Sequence, residues 1–211
     1  MEHIKAELLR GTHPSYDAEE ATKSLHNETR DKVANGYAKV IRYGELNKNL
    51  PEKLKISPVA MIPHKSKSYR KILEPLFQLQ HRGKIMQSLN LEMVKHAPPQ
   101  EIIQLGQCVL QLIATLVENY DGNTRFKFSK LEIKDGVWRL AVSDTDAWNF
   151  CYVIPQANNV KNIEDIKVLV KNCLQMGWCE STQFFCAASE TAGNVIDTLL
   201  HKVNIPDHPF E

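Results

Sequence analysis

Residues 58–76 read PVAMIPHKSKSYRKILEPL. An apolar run from Val59 to Ile62 gives way to a basic polar stretch from His64 to Ser68, and Ile72, Leu73, Leu76 and Phe77 restore the apolar character. Run, polar tip and run is a hairpin signature, so the spacing predicts two strands between Ile56 and Leu79 that meet at a lysine-bearing turn. Upstream, the text from Met1 to about Leu50 is polar and helix-compatible. Asp17 and Glu19 to Ala21 suggest a helix start, with Gly36 and Gly44 as interruptions, and residues 1–50 are expected to form a helical arm.

Downstream, Pro98 and Pro99 precede Glu101, and Ile102, Leu105, Val109, Leu112, Ile113, Leu116 and Val117 recur at helical spacing on one face. Asp121-Gly122 marks a turn. Phe126, Phe128, Leu131 and Ile133 then predict a strand, and Val137 to Val142 its continuation or partner. Trp148, Phe150, Tyr152 and Ile154 alternate with their neighbours as a half-buried strand does, until Pro155 ends it. Val168 to Val170 predict another strand, and a helix is expected from about Ser181 to Lys202. The mixture is α+β, without internal repeats.

At 211 residues, 43% hydrophobic and 24% charged, the chain has the make-up of one globular domain of one or two lobes. Twenty-six Lys and Arg against 25 Asp and Glu leave a net charge of +1, so any polyanion must be met by local clusters. The five cysteines form no C-x-x-C pair and mostly lie in apolar runs, which predicts free thiols and an intracellular, cytoplasmic or nuclear, setting. No apolar run is long enough to cross a bilayer, and no membrane partner is expected. The G-x-x-x-x-G-K loop, the G-x-S-x-G elbow and H-E-x-x-H are all missing, and the eight histidines stand apart from zinc-ligand spacing.

Three segments, taken in order, resemble the fingers and palm of retroelement reverse transcriptases, the RNA-directed DNA polymerases of retroviruses and retrotransposons. The first is the 58–76 hairpin. In the family a basic tip closes over the incoming nucleotide, and an aromatic-Arg-Lys step sets cations against its triphosphate. Tyr69-Arg70-Lys71 match that step, with Lys65 and Lys67 at the tip. The resemblance therefore implies nucleotide-binding roles for Lys65, Arg70 and Lys71, side chains whose donors suit phosphate oxygens.

The second segment, KLEIKDGVWRL from Lys130, is similar to the first palm motif. Glu132 occupies the place of the leading aspartate, which binds the catalytic magnesium ions of nucleotidyl transfer. Glutamate keeps the charge but moves the carboxylate by about an ångström, and metal-assisted chemistry tolerates little such displacement. Asp135 matches the second acid, near the triphosphate, and Val137 stands where an aromatic ordinarily packs under the sugar.

The third segment, LQMGWCESTQFF from Leu174, resembles the next palm motif. Gly177-Trp178, Ser181 and Phe185 match, and Thr182 replaces a proline. Met176 and Gly177 thereby fall at nucleotide- or template-contacting positions, and a serine or threonine is expected to cap the helix that follows.

The resemblance covers roughly Pro58 to Thr191 and implies a partial right-hand polymerase fold over residues 51–211. Fingers would span about 52–95 and 141–173, and an incomplete palm about 96–140 and 174–211. The third palm motif, aromatic-x-Asp-Asp, is expected where the sequence reaches Glu211, and no Asp-Asp pair occurs in the 211 residues. The expectation is a truncated or degenerate polymerase, inactive alone, with weak RNA/DNA primer-template binding and a downstream polymerase fragment as candidate partners. The alternative is a non-enzymatic RNA- or protein-binding module derived from the same fold.

Overall fold

In the computed structural model, residues 2–13, 19–65, 67–92, 99, 108–122, 133–156 and 162–202 are described. Two helices open the chain, α1 (Glu2–Arg10) and α2 (Glu19–Ala34), followed by strand β1 (Ala38–Arg42) and the short α3 (Tyr43–Leu46). The 58–76 segment forms the antiparallel hairpin of β2 (Val59–His64) and β3 (Lys67–Leu73). A small hairpin of β4 (Leu79–His81) and β5 (Lys84–Met86), then α4 (Leu89–Glu92) and α5 (Cys108–Asn119), come next. After two 3-10 turns, Gly136–Arg139 and Asp146–Phe150, the chain runs through β6 (Cys151–Val153), β7 (Lys167–Lys171) and α6 (Ser181–Lys202). The fold class is mixed α and β. No helix among the described residues is long and apolar enough to cross a membrane.

Two compact units divide the chain: Met1–Lys95 with Asp135–Ser181, and His96–Lys134 with Thr182–Glu211. The centre of the first is the antiparallel sheet β1-β7-β6. Strand parity sorts its side chains onto two faces. Val168 and Val170 of β7, with Cys151 and Val153 of β6, join Ile4 and Leu8 of α1 and Tyr43 of α3 on one face. Leu169 and Tyr152, with Ala38 of β1, join Ala21 and Leu25 of α2 and Val59, Met61 and Leu73 of the β2–β3 hairpin on the other. Lys171 lies two residues beyond Leu169 and shares its parity, so it points into this second core. Of the second unit, α5 and α6 are the described helices; in α6, Thr191 and Thr198 return their hydroxyls to the carbonyls of Ala187 and Asn194.

Three expectations change. Ala38–Arg42, within the expected helical arm, is a strand, because its alternating residues pair in register with Lys167–Lys171. Val137 to Val142 is not a strand: Asp135, in the left-handed region at φ 59°, and Gly136 start a 3-10 turn, leaving one bridge between Ala141 and Cys173. The strand expected from Trp148 begins only at Cys151, because Ser143 caps a turn, its Oγ accepting from the Asp146 N–H at 3.1 Å. The predicted strand through Phe126 and Leu131 lies outside the described residues, as does the predicted helix before Cys108.

Candidate functional site: a lysine-lined cavity beside the hairpin

A cavity of about 190 Å³ opens between β3, the 3-10 turn at Trp138 and the loop after β7. Arg70, Lys71, Trp138, Gln175, Met176 and Gly177 are among its lining residues. It thus gathers four of the residues singled out from sequence, two from the hairpin and two from the loop around Gly177. Lys65 is at the exposed hairpin tip, where Pro63, which lacks an N–H to donate, coincides with a shift in strand register. Val137 is half-buried and does not line the cavity. Glu132 and the side chain of Lys67 lie outside the described residues. A larger cleft of about 460 Å³ along α2 and β1 holds none of the sequence-predicted site residues.

Alternation along β3 decides how its two cations are used. Arg70 and Ile72 face outward and are exposed. Lys71 turns inward, 6% exposed, with its ammonium 2.6 Å from Glu28 Oε1 on α2. On its own, burial pushes the Glu28 carboxyl up, but Lys71, with Lys171 and Lys32 behind it, brings it below the usual range. Burial likewise opposes the Lys71 charge, and Tyr152 and Glu28 outweigh it, so this lysine holds its proton more tightly than usual.

The helical face of α2 that buries Ala21 and Leu25 carries Glu28, Thr29 and Lys32 one to two turns later. Its apolar stripe therefore becomes polar where it reaches Trp138. The Lys32 ammonium lies 3.2 Å from the Trp138 ring centroid, a cation–π contact, and 3.6 Å from Asp135 Oδ1. Asp135 is thus tied to Lys32. Lys71 and Lys171 stand 5.7 Å from the same ring. Lys171 is fully buried, and burial followed by the neighbouring Lys71 charge brings its pKa down to about 6. Among the described residues, neither the Lys171 Nζ nor the buried Trp138 Nε1 has an acceptor.

The loop at Gly177 is held by hydrogen bonds from several sides. Asn90 donates to the Gly177 carbonyl at 3.0 Å and accepts from the Cys179 N–H at 3.2 Å. Ser181, expected to cap α6, instead donates to the Gln175 carbonyl at 2.6 Å. Trp178 packs edge-on against Phe150, with ring centroids 5.5 Å apart. Gly177 has φ +100°, and a Cβ there would meet the Leu73 carbonyl oxygen at 3.1 Å. Gly177→Ala is expected to cost about 2 kcal/mol of stability by urea titration, since the backbone conformation and the close approach both exclude a side chain.

Sequence reasoning missed Glu28, Lys32, Asn90 and Lys171. The one signal for Lys171 was its parity with Leu169 at the end of an apolar strand; nothing local marked the others. Among the described residues, no three His, Cys, Asp or Glu side chains come together to hold a metal ion. A scan against models of known protein families finds no match to this chain, and a search of curated proteins finds none either.

Proposed function

We propose that this chain is a fragment or degenerate copy of the fingers and part of the palm of a retroelement RNA-directed DNA polymerase, unable to polymerise by itself, whose cavity accepts the phosphates of a nucleotide. One observation carries the reading. Arg70 and Lys71, from the segment resembling the fingers hairpin, share a cavity with Met176 and Gly177, from the segment resembling the palm turn.

Within this reading Arg70 is the rim cation for phosphate oxygens, its planar fork open to solvent. Lys71 serves less freely, because Glu28 already neutralises it. Magnesium, when bound in the family, stabilises the attacking and leaving oxygens. The absence of an Asp-Asp pair from the 211 residues, together with a lengthened acid at Glu132, supports the inactive assignment.

A template-extension assay on the purified 211-residue chain tests it. No incorporation above background is expected with magnesium or manganese, and measurable incorporation overturns the inactive assignment. Primer-template binding is expected to be weak, to fall steeply with salt, and to weaken further when Lys65 and Arg70 are both replaced by alanine.

A second reading, a non-enzymatic RNA- or protein-binding module, draws on the apolar side chains exposed on α5 and α6, among them Leu110, Val117 and Leu199. A monodisperse monomer on size exclusion, without affinity for duplex, counts against it.

A further inference from the structure

The β1-β7-β6 sheet has two edges, and only one is covered. At β6 the segment before the hairpin lies alongside: the Ser57 N–H donates to the Cys151 carbonyl at 2.9 Å, and the Cys151 N–H to the Lys55 carbonyl at 3.3 Å. At β1 the edge is open. The Asn172 N–H donates to the Tyr37 carbonyl at 3.2 Å and the Tyr43 N–H to the Ile166 carbonyl at 2.8 Å, so the odd-numbered residues of β1 are the ones bonded to β7. Ala38, Val40 and Arg42 therefore direct their N–H and C=O groups away from the sheet, and the described residues make no hydrogen bond to them.

Beside this edge lies the cleft of about 460 Å³. Val40 shares the parity of Ala38 and stands opposite Leu169, on the α2 side of the sheet. Val33 and Ala34 of α2, with Val40 and Ile154, give the cleft an apolar wall, and Arg30 and Lys167 give it cations. Val33 and Val40 are 41% and 39% exposed, so the wall is open to solvent. On the β6 side, His26 donates from Nε2 to the Pro155 carbonyl at 2.8 Å and ties α2 to the end of that strand.

The charges here are of one sign and unmatched. Arg30, Lys39, Arg42 and Lys167 are exposed, and among the described residues none pairs with a carboxylate. Arg42 and Lys167 are register partners across β1 and β7, and like charges set directly opposite are unfavourable until an anion joins them. On the other face, Lys39 stands 5.1 Å from the Trp148 ring.

We propose that β1 is a docking strand for an extended acidic peptide segment, which pairs with the Ala38–Arg42 edge and sends one apolar side chain into the cleft between α2 and Val40. A residue opposite Val40 exchanges two hydrogen bonds with it and projects onto the cleft face. Two positions along, on the same face, a carboxylate meets Arg42 and Lys167; one position along in the other direction, a carboxylate meets Lys39 on the opposite face. Charge decides among the occupants. A second copy of this chain, pairing β1 with β1, would bring the cations of two protomers to one seam, the repulsion by which edge strands are guarded against their own kind. The same cations attract an acidic strand. Nucleic acid would meet the cations but leave the apolar wall and the outward carbonyls unmatched. None of these residues lines the cavity beside the hairpin, so this surface stands apart from the nucleotide reading.

Fluorescence anisotropy of the full chain with the labelled peptide Ser-Glu-Val-Phe-Glu-Thr-Glu-Ser tests the docking. Run antiparallel to β1, its phenylalanine falls opposite Val40, its first glutamate opposite Arg42 and its second opposite Lys39. N-methylation at the phenylalanine is expected to weaken binding roughly tenfold, since it removes a bond to β1. N-methylation at the neighbouring valine, whose N–H points away from β1, should change it by less than about twofold. On the protein side, Val40→Pro removes an N–H that β7 does not use and should weaken binding to the same degree as the first methylation, and Arg42→Glu should weaken it at least about fivefold. The methylated peptides read the geometry whether or not either variant folds. Equal effects of the two methylations overturn strand addition, and no binding up to about 1 mM peptide overturns the proposal whole. A dimer in sedimentation velocity that Val40→Pro dissociates, or an oligouridylate bound through Arg42 in place of the peptide, overturns it in favour of a second copy or of nucleic acid.

Discussion

Replacing Glu28 by glutamine is expected to lower the unfolding free energy by about 3 kcal/mol, because it leaves Lys71 buried without a counter-charge. Lys71 is 6% exposed and lies 2.6 Å from the Glu28 carboxylate, so water cannot replace the lost partner. Urea denaturation of the single variant and of Glu28→Gln/Lys71→Met measures the coupling. The double variant should recover most of the loss, since a pair replaced together leaves no stranded charge. A single-variant cost below about 0.5 kcal/mol would mean that the pair behaves like an exposed one. The pH dependence has a definite sign. The folded Glu28 pKa lies below its ordinary value, so its contribution is present above the unfolded pKa and is lost as pH falls through the folded one. Acid destabilisation should therefore be shallower in Glu28→Gln.

Lys171→Met is expected to stabilise the protein at pH 7, on the order of 3 kcal/mol. Lys171 is charged in the unfolded chain up to its ordinary pKa of 10.5 but loses its proton near about 6 when folded. Between those values the unfolded state binds more protons, so wild-type stability should climb as pH rises from 6 toward 10. The methionine variant lacks this climb, and its advantage should shrink as pH approaches 10. Equal stability at pH 7 with an unchanged slope would show that the amine is hydrated in the folded state. Both results bear on the cavity, because Glu28 and Lys171 set the charge of Lys71 from opposite sides.

The β2–β3 hairpin, β7 and α6 could be read from sequence because each is a local pattern: run, tip and run; an apolar triplet; or a helical run after Gly177 and Trp178. β1 could not. Ala38–Arg42 is five residues of modest apolarity within polar text, and its identity as a strand comes from pairing with residues more than a hundred positions away. Half the cavity was legible on the same terms. Arg70, Lys71, Met176 and Gly177 sit in segments with recognisable spacing, whereas Glu28 and Lys32 look like ordinary solvated positions on a polar helix. Only the turn of α2 over the sheet brings them beneath Trp138. Ser181 shows the reverse error, a residue type suited to capping that the fold uses to close the preceding turn.

The opposition of Ala38 and Lys171 across the sheet also orders events on the ribosome. At about 5–20 residues per second, the stretch between Arg42 and Lys171 takes on the order of ten seconds to synthesise, and until it emerges β1 has no partner strand. The α2 face bearing Ala21 and Leu25 can pack on the β2–β3 hairpin well before then, so it is β1 that waits for the arrival of β7. Early folding of this chain is thus a matter of keeping one unpaired strand out of trouble, since open strand edges invite pairing with other chains.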